Sequence, residues 1–205
     1  MTTKTTIYRV SERPALSAAA AALKAGAVIV MPTETVYGLA CAAVNETAVK
    51  KLCAVKQKPE NVPLQYLAEN IDEVKKIAVM SEAAQKLAAA FWPGPLTMIL
   101  PPTDGGKKYL RGFDTLGIRV PNHEFTKKIL SVYGGILAAT SANLHGRPPA
   151  KTEREVLEMF DGKVDIIFLD GDIDGAASTV VNPDTLQIIR EGSITKDAIL
   201  KTLKK

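Results

Sequence analysis

Short apolar runs alternate with helix-forming stretches along almost the whole chain, and this alternation most limits the possible folds. Residues 14–25 are rich in alanine, begin with proline and stop at Gly26, so they predict a helix. The apolar run 27–31 then predicts a short buried strand. Further strands are predicted at 63–67, 96–100, 116–120, 136–139, 165–170, 178–181 and 186–190, with intervening helices that include 45–55, 81–91 and 124–132. The alternation predicts one α/β or α+β domain over residues 1–205, with about seven strands in a mixed twisted sheet flanked by helices.

Composition and charge exclude several classes of protein. The 205 residues suffice for one buried core, and 26 basic against 22 acidic residues give a net charge of +4. This mild excess suits an anionic substrate or transient contact with RNA, but it does not require a nucleic-acid binder. No apolar run approaches the roughly 20 residues that span a bilayer, and the N-terminal segment lacks a signal-like apolar region. We therefore expect a soluble, cytoplasmic protein.

The cysteines and histidines predict no metal site. Cys41 and Cys53 lie within apolar or helical patterns and have no metal-type spacing, so we interpret them as small core residues in a reducing compartment. The two histidines, His123 and His145, are not at ligand spacing from a cysteine or a carboxylate.

Polar residues occur in three separated segments that the pattern places at the ends of strands. Lys56 and Lys58 are two apart, and on an extended segment their side chains would point to the same side and meet one polyphosphate. Ser141 and Asn143 have the same spacing, and the segment 32–38 follows the first predicted strand. Each pair alone also fits the end of a solvated helix or a turn. In combination they predict one anion-binding site.

Phosphoryl and nucleotidyl transfer need cations that stabilise the negative charge on the non-bridging oxygens, and they need little covalent catalysis by the protein. Lys56, Lys58 and Arg190 are the candidates for this role. The chain has neither a P-loop nor a dinucleotide-binding glycine fingerprint, and Ser141 lies in no Gly-x-Ser-x-Gly elbow. We therefore expect no covalent nucleophile and identify no side chain as a catalytic acid or base.

Several segments carry a resemblance to a known family, and they occur in order across nearly the whole chain. They are VMPTETVYGL at 30–39, KQKP at 56–59 with Pro63 and Leu64, WPGPLT at 92–97, GIRVP at 117–121, TSANLHGRP at 140–148 and STVV at 178–181. In these segments the chain resembles the YrdC-type threonylcarbamoyl-AMP synthases. The resemblance implies a twisted, open α/β sheet around a large basic cavity. It also implies an enzyme that makes threonylcarbamoyl-adenylate and pyrophosphate from L-threonine, bicarbonate and ATP.

The resemblance also implies ligands, cofactors and partners. L-Threonine would be bound by Thr35, Arg119 and Ser178, with the forked guanidinium of Arg119 on the carboxylate. ATP would be bound by Lys56, Lys58, Thr115, Ser141, Asn143 and Arg190. Mg²⁺ would accompany the ATP phosphates. A partner complex would then pass the threonylcarbamoyl group to tRNA.

One departure from the family pattern and two alternative functions stay open at this stage. Lys58 stands where the family usually has arginine, and a lysine is a point charge that cannot make the same fork to phosphate. A basic cavity on this fold could also bind double-stranded RNA or tRNA without catalysis, although the few aromatic residues do not cluster. A carbamoyl-transfer enzyme acting on another amine is the second alternative.

Overall fold

The computed structural model describes residues 4–59 and 62–204, and these contain one mixed sheet of ten strands. In chain order, β1 to β10 span Thr6–Arg9, Ile29–Met31, Gly38–Ala42, Gln65–Leu67, Leu96–Leu100, Leu116–Arg119, Leu137–Ser141, Ile166–Leu169, Thr179–Asn182 and Gln187–Arg190. They lie side by side in the order β1-β8-β2-β3-β7-β4-β6-β5-β9-β10. Parallel pairs such as β4–β6 and β5–β9 occur beside antiparallel pairs such as β3–β7 and β5–β6. The mixed α/β architecture predicted from the alternation is confirmed.

The sheet has more strands than the expected number of about seven. Eight of its ten strands lie at predicted segments, and β1 and β3 were not predicted. β3 has the sequence GLACA, whose small residues have little intrinsic preference for a strand. It forms a strand because it lies between β2 and β7, where Leu39 is paired with Val30 on one side and Thr140 on the other. A Cβ atom at Gly38 would lie 3.4 Å from the carbonyl oxygen of Thr140, so the small residue fits this close approach.

Seven α-helices and one 3-10 helix connect the strands within the described residues. The helices α1 to α7 span Ala15–Lys24, Glu46–Lys56, Ile71–Ile77, Glu82–Phe91, Glu124–Tyr133, Glu153–Phe160 and Lys196–Leu203, and the 3-10 helix spans Asp104–Tyr109. Thr152 and Glu155 form a reciprocal capping box at the start of α6. At the start of α3, Asn70 Oδ1 accepts hydrogen bonds from the backbone N–H groups of Asp72 and Glu73, while the Glu73 side chain pairs with Lys76, so only half of a capping box forms there. No helix in the described residues is long and apolar enough to cross a bilayer.

Helices cover both faces of the sheet. On one face α1 and α5 bury Leu23 and Ile129 against Met31 and Phe168. On the other face the larger core contains residues of α2, α3, α4, α6 and α7, among them Leu52, Val74, Leu87, Val156 and Ile199. Both cysteines are buried in this larger core, as expected for small core residues.

Candidate active site

A cavity of about 450 Å³ opens over the middle of the sheet. Its floor is one face of the adjacent strands β7, β4, β6, β5 and β9, where Gln65 is the register partner of both Ala139 and Gly117. Ile99 is paired with Gly117, and Thr97 with Val180, across the remaining strands of the floor. Ala139 and Gly117 both line the cavity, so small residues form the middle of its floor. A Cβ atom at Gly117 would come within 3.4 Å of Cδ1 of Ile99.

Most of the site residues predicted from the sequence lie around this one cavity. Those that line it are Thr35, Lys58, Thr115, Arg119, Ser141, Ser178 and Arg190. Lys56 and Asn143 do not line it; they are buried and contact Ser141 from behind. Trp92 does not line it either, and its indole Nε1 donates to the carbonyl oxygen of Leu96 at 2.7 Å.

At one end of the cavity, which we call the amino-acid end, Arg119 is held by its surroundings. It is the last residue of β6, and only 3% of it is exposed. Its Nε donates to the carbonyl oxygen of Gly94 at 3.1 Å, and its Nη1 donates to Oγ1 of Thr35 at 3.1 Å. The hydroxyl groups of Thr35 and Thr33 are 2.8 Å apart, which connects this contact to the loop between β2 and β3. The guanidinium is therefore oriented before any ligand binds.

Glu34 is the charge partner of Arg119. Its Oε1 accepts the backbone N–H of Asn122 at 2.9 Å and lies 2.8 Å from Nη2 of Arg119. That contact is an ion pair without hydrogen-bond alignment, since Nη2 of Arg119 and Oε2 of Glu34 are both buried without a hydrogen-bond partner. The amino-acid end thus keeps an unsatisfied guanidinium N–H group, which suits it to a carboxylate ligand.

Ser178 joins Arg190 to the same end. Its hydroxyl lies 2.9 Å from Oγ1 of Thr97, which in turn accepts a short hydrogen bond from Nε2 of Gln65. Arg190 donates from Nη2 to the carbonyl oxygen of Ser178 at 2.9 Å and to its hydroxyl at 3.0 Å. Burial, and then the positive charge of Arg119, lower the pKa of Arg190, so the two guanidinium groups share one region of the cavity.

Lys56 lies behind the opposite end, and the sequence-based interpretation of its backbone was wrong. It is the last residue of α2, and Gln57 caps the helix with a left-handed backbone at φ 54°, so 56–58 is not an extended segment. The Lys56 ammonium Nζ lies 2.7 Å from the carbonyl oxygen of Ser141 and 2.6 Å from Oδ1 of Asn143. An ammonium has three N–H groups, so these acceptors and the more distant Oγ of Ser141 at 3.3 Å saturate it.

Burial, and then the positive charge of Lys58, lower the pKa of Lys56 to about 8. Lys58 itself is partly buried, lines the cavity and donates from Nζ to the carbonyl oxygen of Pro63 at 2.7 Å. Burial lowers its pKa as well. The two lysines therefore share one electrostatic environment, although only Lys58 reaches the cavity surface.

Ser141 and Asn143 are in contact, but not through an extended segment: the backbone N–H of Asn143 donates to the carbonyl oxygen of Ser141 at 3.0 Å, so the chain turns here. Ser141 ends β7, and its hydroxyl donates to Oδ1 of Asn143 at 2.6 Å. Nδ2 of Asn143 donates to the carbonyl oxygens of Leu144 and Arg147, which ties it into the following turn. Ser141 is thus presented to the cavity by a buried network that includes Lys56. We call this part of the cavity, with Lys58 and Ser141, the phosphate end.

Sequence reasoning missed several polar residues of the cavity, among them Gln65, Thr97 and Arg111. Gln65 and Thr97 lie on strands that were predicted, and their alternation with apolar residues is the signal that places them on the floor. Arg111 lies in a loop, where spacing carries no such signal.

The lining of the cavity carries an excess of positive charge. The charged residues among those that line it are Lys58, Arg111, Arg119 and Arg190, and no aspartate or glutamate of the described residues is among them. The described residues contain no group of three or more histidine, cysteine, aspartate or glutamate side chains that could hold a metal ion. Apolar walls, including Leu64, Leu110 and Phe113, complete the surface. This chemistry suits a ligand with anionic groups and an apolar part.

Proteins of known name are similar to this chain over most of its length. The model of the Sua5, YciO and YrdC family, which carries the description telomere recombination, matches residues 21–192. A threonylcarbamoyl-AMP synthase from Photorhabdus laumondii is 36% identical over 185 residues, which are 87% of this chain and 97% of that protein. A threonylcarbamoyl-AMP synthase from Pyrococcus abyssi is 34% identical over 90% of this chain. This chain spans only 56% of the Pyrococcus abyssi protein.

Solved structures match the fold as well. The crystal structure of Pyrococcus abyssi Sua5 complexed with L-threonine superposes with a TM-score of 0.88 at 32% identity, covering 97% of this chain and 59% of that one. Escherichia coli YciO superposes with a TM-score of 0.84 over 95% of this chain and 97% of that one, and its 24% identity shows a shared fold alone. From the family match and these relatives, this chain belongs to the Sua5, YciO and YrdC family.

Proposed function

We propose that this chain is a threonylcarbamoyl-AMP synthase, which converts L-threonine, bicarbonate and ATP to threonylcarbamoyl-adenylate and pyrophosphate. The observation that carries the proposal is the cavity itself, which has an oriented guanidinium at one end and lysine and serine donors at the other. Its lining cations face no lining carboxylate of the described residues, so the cavity can hold a carboxylate and a phosphate chain together. The relatives that bear the name of this activity are 36% and 34% identical to the chain.

The amino-acid end supplies the contacts that L-threonine needs. Arg119 would donate hydrogen bonds to the carboxylate, because its guanidinium is already oriented by Thr35 and Gly94. The hydroxyls of Thr35 and Ser178 line the same region and can bond to the threonine ammonium or hydroxyl. Holding the amino acid in one orientation places its nitrogen for reaction with bicarbonate.

The phosphate end supplies charge for the nucleotidyl transfer. The threonine amine and bicarbonate give a carbamate with loss of water, and a carbamate oxygen then attacks the α-phosphorus of ATP. The bond from that phosphorus to the bridging oxygen breaks, and pyrophosphate leaves. Lys58 at this end and Arg190, which lies beside Ser178 at the amino-acid end, stabilise the charge on the phosphate oxygens. The hydroxyl of Ser141 donates to Asn143 in the free protein, and it would turn to donate to a phosphate oxygen. Lys56 acts from behind by holding Ser141 and Asn143 in place.

The proposal includes Mg²⁺ and tRNA. The described lining residues offer hydroxyl groups but no carboxylate, so Mg²⁺ would enter with ATP and would help neutralise the charge of its phosphates. The adenylate product is a mixed anhydride, which suits it to deliver the threonylcarbamoyl group to an amine. We propose that a partner complex performs this delivery to an adenosine of tRNA.

Omission of single substrates tests the proposed reaction. Purified protein should release pyrophosphate from ATP only when L-threonine and bicarbonate are both present. L-Serine is the matched control because it lacks one methyl group. Loss of that contact costs about 1 to 3 kcal/mol of transition-state stabilisation, so serine should react more slowly. Pyrophosphate release that does not depend on threonine would contradict the proposal.

The two alternatives predict different results in the same assay. A non-catalytic RNA-binding protein would release no pyrophosphate, and it is not favoured, because the relatives over most of the chain are named as synthases. A carbamoyl-transfer enzyme for another amine would use ATP and bicarbonate without responding to threonine. Both outcomes are therefore separable from the proposed one by the same set of omissions.

A further inference from the structure

The loop between the 3-10 helix and β6 places Arg111 in the wall of the cavity. Arg111 is partly buried and lines the cavity beside Leu110 and Phe113. No motif of the sequence includes this residue.

Arg111 differs from the other cations of the cavity in its hydrogen bonding. Lys58 donates to Pro63, Arg119 donates to Gly94 and Thr35, and Arg190 donates to Ser178. Arg111 makes no hydrogen bond or ion pair with the described residues. A guanidinium has five N–H donors in a planar fork, so Arg111 has its full donor capacity available to a ligand.

The backbone conformation of Arg111 also supports a role in ligand binding. Its φ is 49°, a left-handed conformation that a residue with a Cβ atom adopts at a cost, and Gly112 follows with φ 85°. Glycine at position 111 would avoid this cost. Among the described residues, the other non-glycine positions with positive φ are Gln57 and Leu186, and neither lines the cavity. A strained residue in a ligand cavity is a candidate for a functional role.

We propose that Arg111 is a further phosphate-binding residue, whose guanidinium fork binds the phosphate chain of ATP and the pyrophosphate that leaves. The inference rests on the proposed function, and it adds a residue from outside the motifs that suggested that function. Phosphate is the matching ligand, because a guanidinium binds two of its oxygens at once. Lys58, by contrast, presents a single ammonium to the cavity.

Binding of four ligands tests the role of Arg111. Arg111→Gln should weaken binding of ATP and of pyrophosphate by about tenfold or more, the effect of losing a hydrogen bond to a charged group. Adenosine and L-threonine should bind as they do to the unaltered protein, since neither carries phosphate. The matched control is Arg154→Gln on α6, whose side chain is 84% exposed and which does not line the cavity. It should leave all four affinities unchanged.

Arg111→Gly separates a functional role from a structural one. Glycine relieves the left-handed strain, so the melting temperature should stay the same or rise, while ATP and pyrophosphate binding should fall as in Arg111→Gln. Unchanged ATP affinity in both variants would overturn the inference. An equal loss for adenosine would also overturn it, because the residue would then shape the cavity rather than bind phosphate. Failure of the unaltered protein to bind ATP would refute the proposed function itself, which keeps the two failures distinct.

Discussion

Arg119 and Lys58 both carry a positive charge into the same cavity, but their surroundings differ. Arg119 is buried between Gly94, Thr35 and Glu34, whereas Lys58 is only partly buried and holds one backbone oxygen, that of Pro63. A ligand at Arg119 meets a group that is already oriented. The Lys58 ammonium makes one hydrogen bond with the described residues and keeps further N–H groups for a phosphate. The amino-acid end is therefore more strongly preorganised than the phosphate end.

This difference implies that the two ends depend on the fold to different degrees. Removal of a buried, paired charge leaves its partner uncompensated and costs several kcal/mol, whereas removal of a partly exposed lysine costs little. Substitutions at the amino-acid end should therefore affect both folding and threonine binding. Substitutions at the phosphate end should affect ATP binding and leave stability nearly unchanged.

The largest expected effect is on stability at the amino-acid end. Arg119→Ala should lower the free energy of unfolding by about 3 to 5 kcal/mol, because it leaves the Glu34 carboxylate buried beside no cation. The double variant Arg119→Ala with Glu34→Gln should regain part of that loss. Lys58→Ala is the control and should change the free energy of unfolding by less than about 1 kcal/mol. Urea denaturation measures all three, and equal losses at the two ends would contradict the comparison.

The second largest effect is expected on the affinity for threonine. Arg119→Lys keeps the charge but loses the fork, so threonine affinity should fall by about 30- to 100-fold, or roughly 2 to 3 kcal/mol, while ATP affinity stays near that of the unaltered protein. Calorimetric titration with each ligand measures this split. Equal weakening of both ligands would indicate that Arg119 supports the fold of the whole cavity instead.

How far the site could be predicted from the sequence also differs between the two ends. Arg119, Thr35 and Ser178 belong to segments whose strand or loop setting follows from local pattern, and the structure places them together. Lys56 could not be placed correctly, because the end of α2 depends on Gln57 adopting a left-handed conformation, which spacing does not predict. Arg111 could not be found, because its position depends on how a loop folds over the sheet. The positions of both residues depend on tertiary structure rather than on periodicity.

The strands show the same limit. β5 and β6 have apolar and β-branched residues and were predicted almost to the residue. β3 was missed because small residues can form a strand when neighbouring strands hold them on both sides. β1 was missed as well, and it is an edge strand whose pairing with β8 joins residues far apart in sequence. Local patterns therefore predicted the fold class, whereas the extent of the sheet depends on long-range pairing.

The phosphate end is tested most directly at Lys58. Lys58→Ala should weaken ATP binding by about 1.5 to 3 kcal/mol, because the alanine loses a hydrogen bond to a charged oxygen. Lys58→Arg should bind ATP equally well or better, since a planar fork can hold two phosphate oxygens. Calorimetry with ATP and with threonine measures both variants, and threonine affinity should not change in either. Unchanged ATP affinity in Lys58→Ala would remove this residue from the site and leave Ser141 and the arginines to bind phosphate.

The smallest expected effect is a pH dependence that acts through Lys56. Burial and the charge of Lys58 lower the pKa of Lys56 from 10.5 to about 8, so about half of these ammonium groups have lost their proton at that pH in the free protein. Loss of this charge behind Ser141 should weaken ATP binding about three- to tenfold between roughly pH 7.5 and 9, a range in which ordinary lysines stay charged.

Stability should change in the opposite direction over the same pH range. The lowered pKa means that the folded state disfavours the charged form, and this penalty is fully present below about pH 8. It is relieved as the pH rises from about 8 toward the ordinary value of 10.5, where the unfolded chain binds more protons than the folded one. Deprotonation of Lys56 should therefore weaken ATP binding and slightly raise the free energy of unfolding. General alkaline damage would instead lower both the ATP affinity and the stability. Lys58→Arg should keep the ATP effect, because arginine stays charged, whereas Lys56→Met should abolish it. A pH profile of ATP affinity that is flat in the unaltered protein would show that the charge of Lys56 does not reach the bound phosphate.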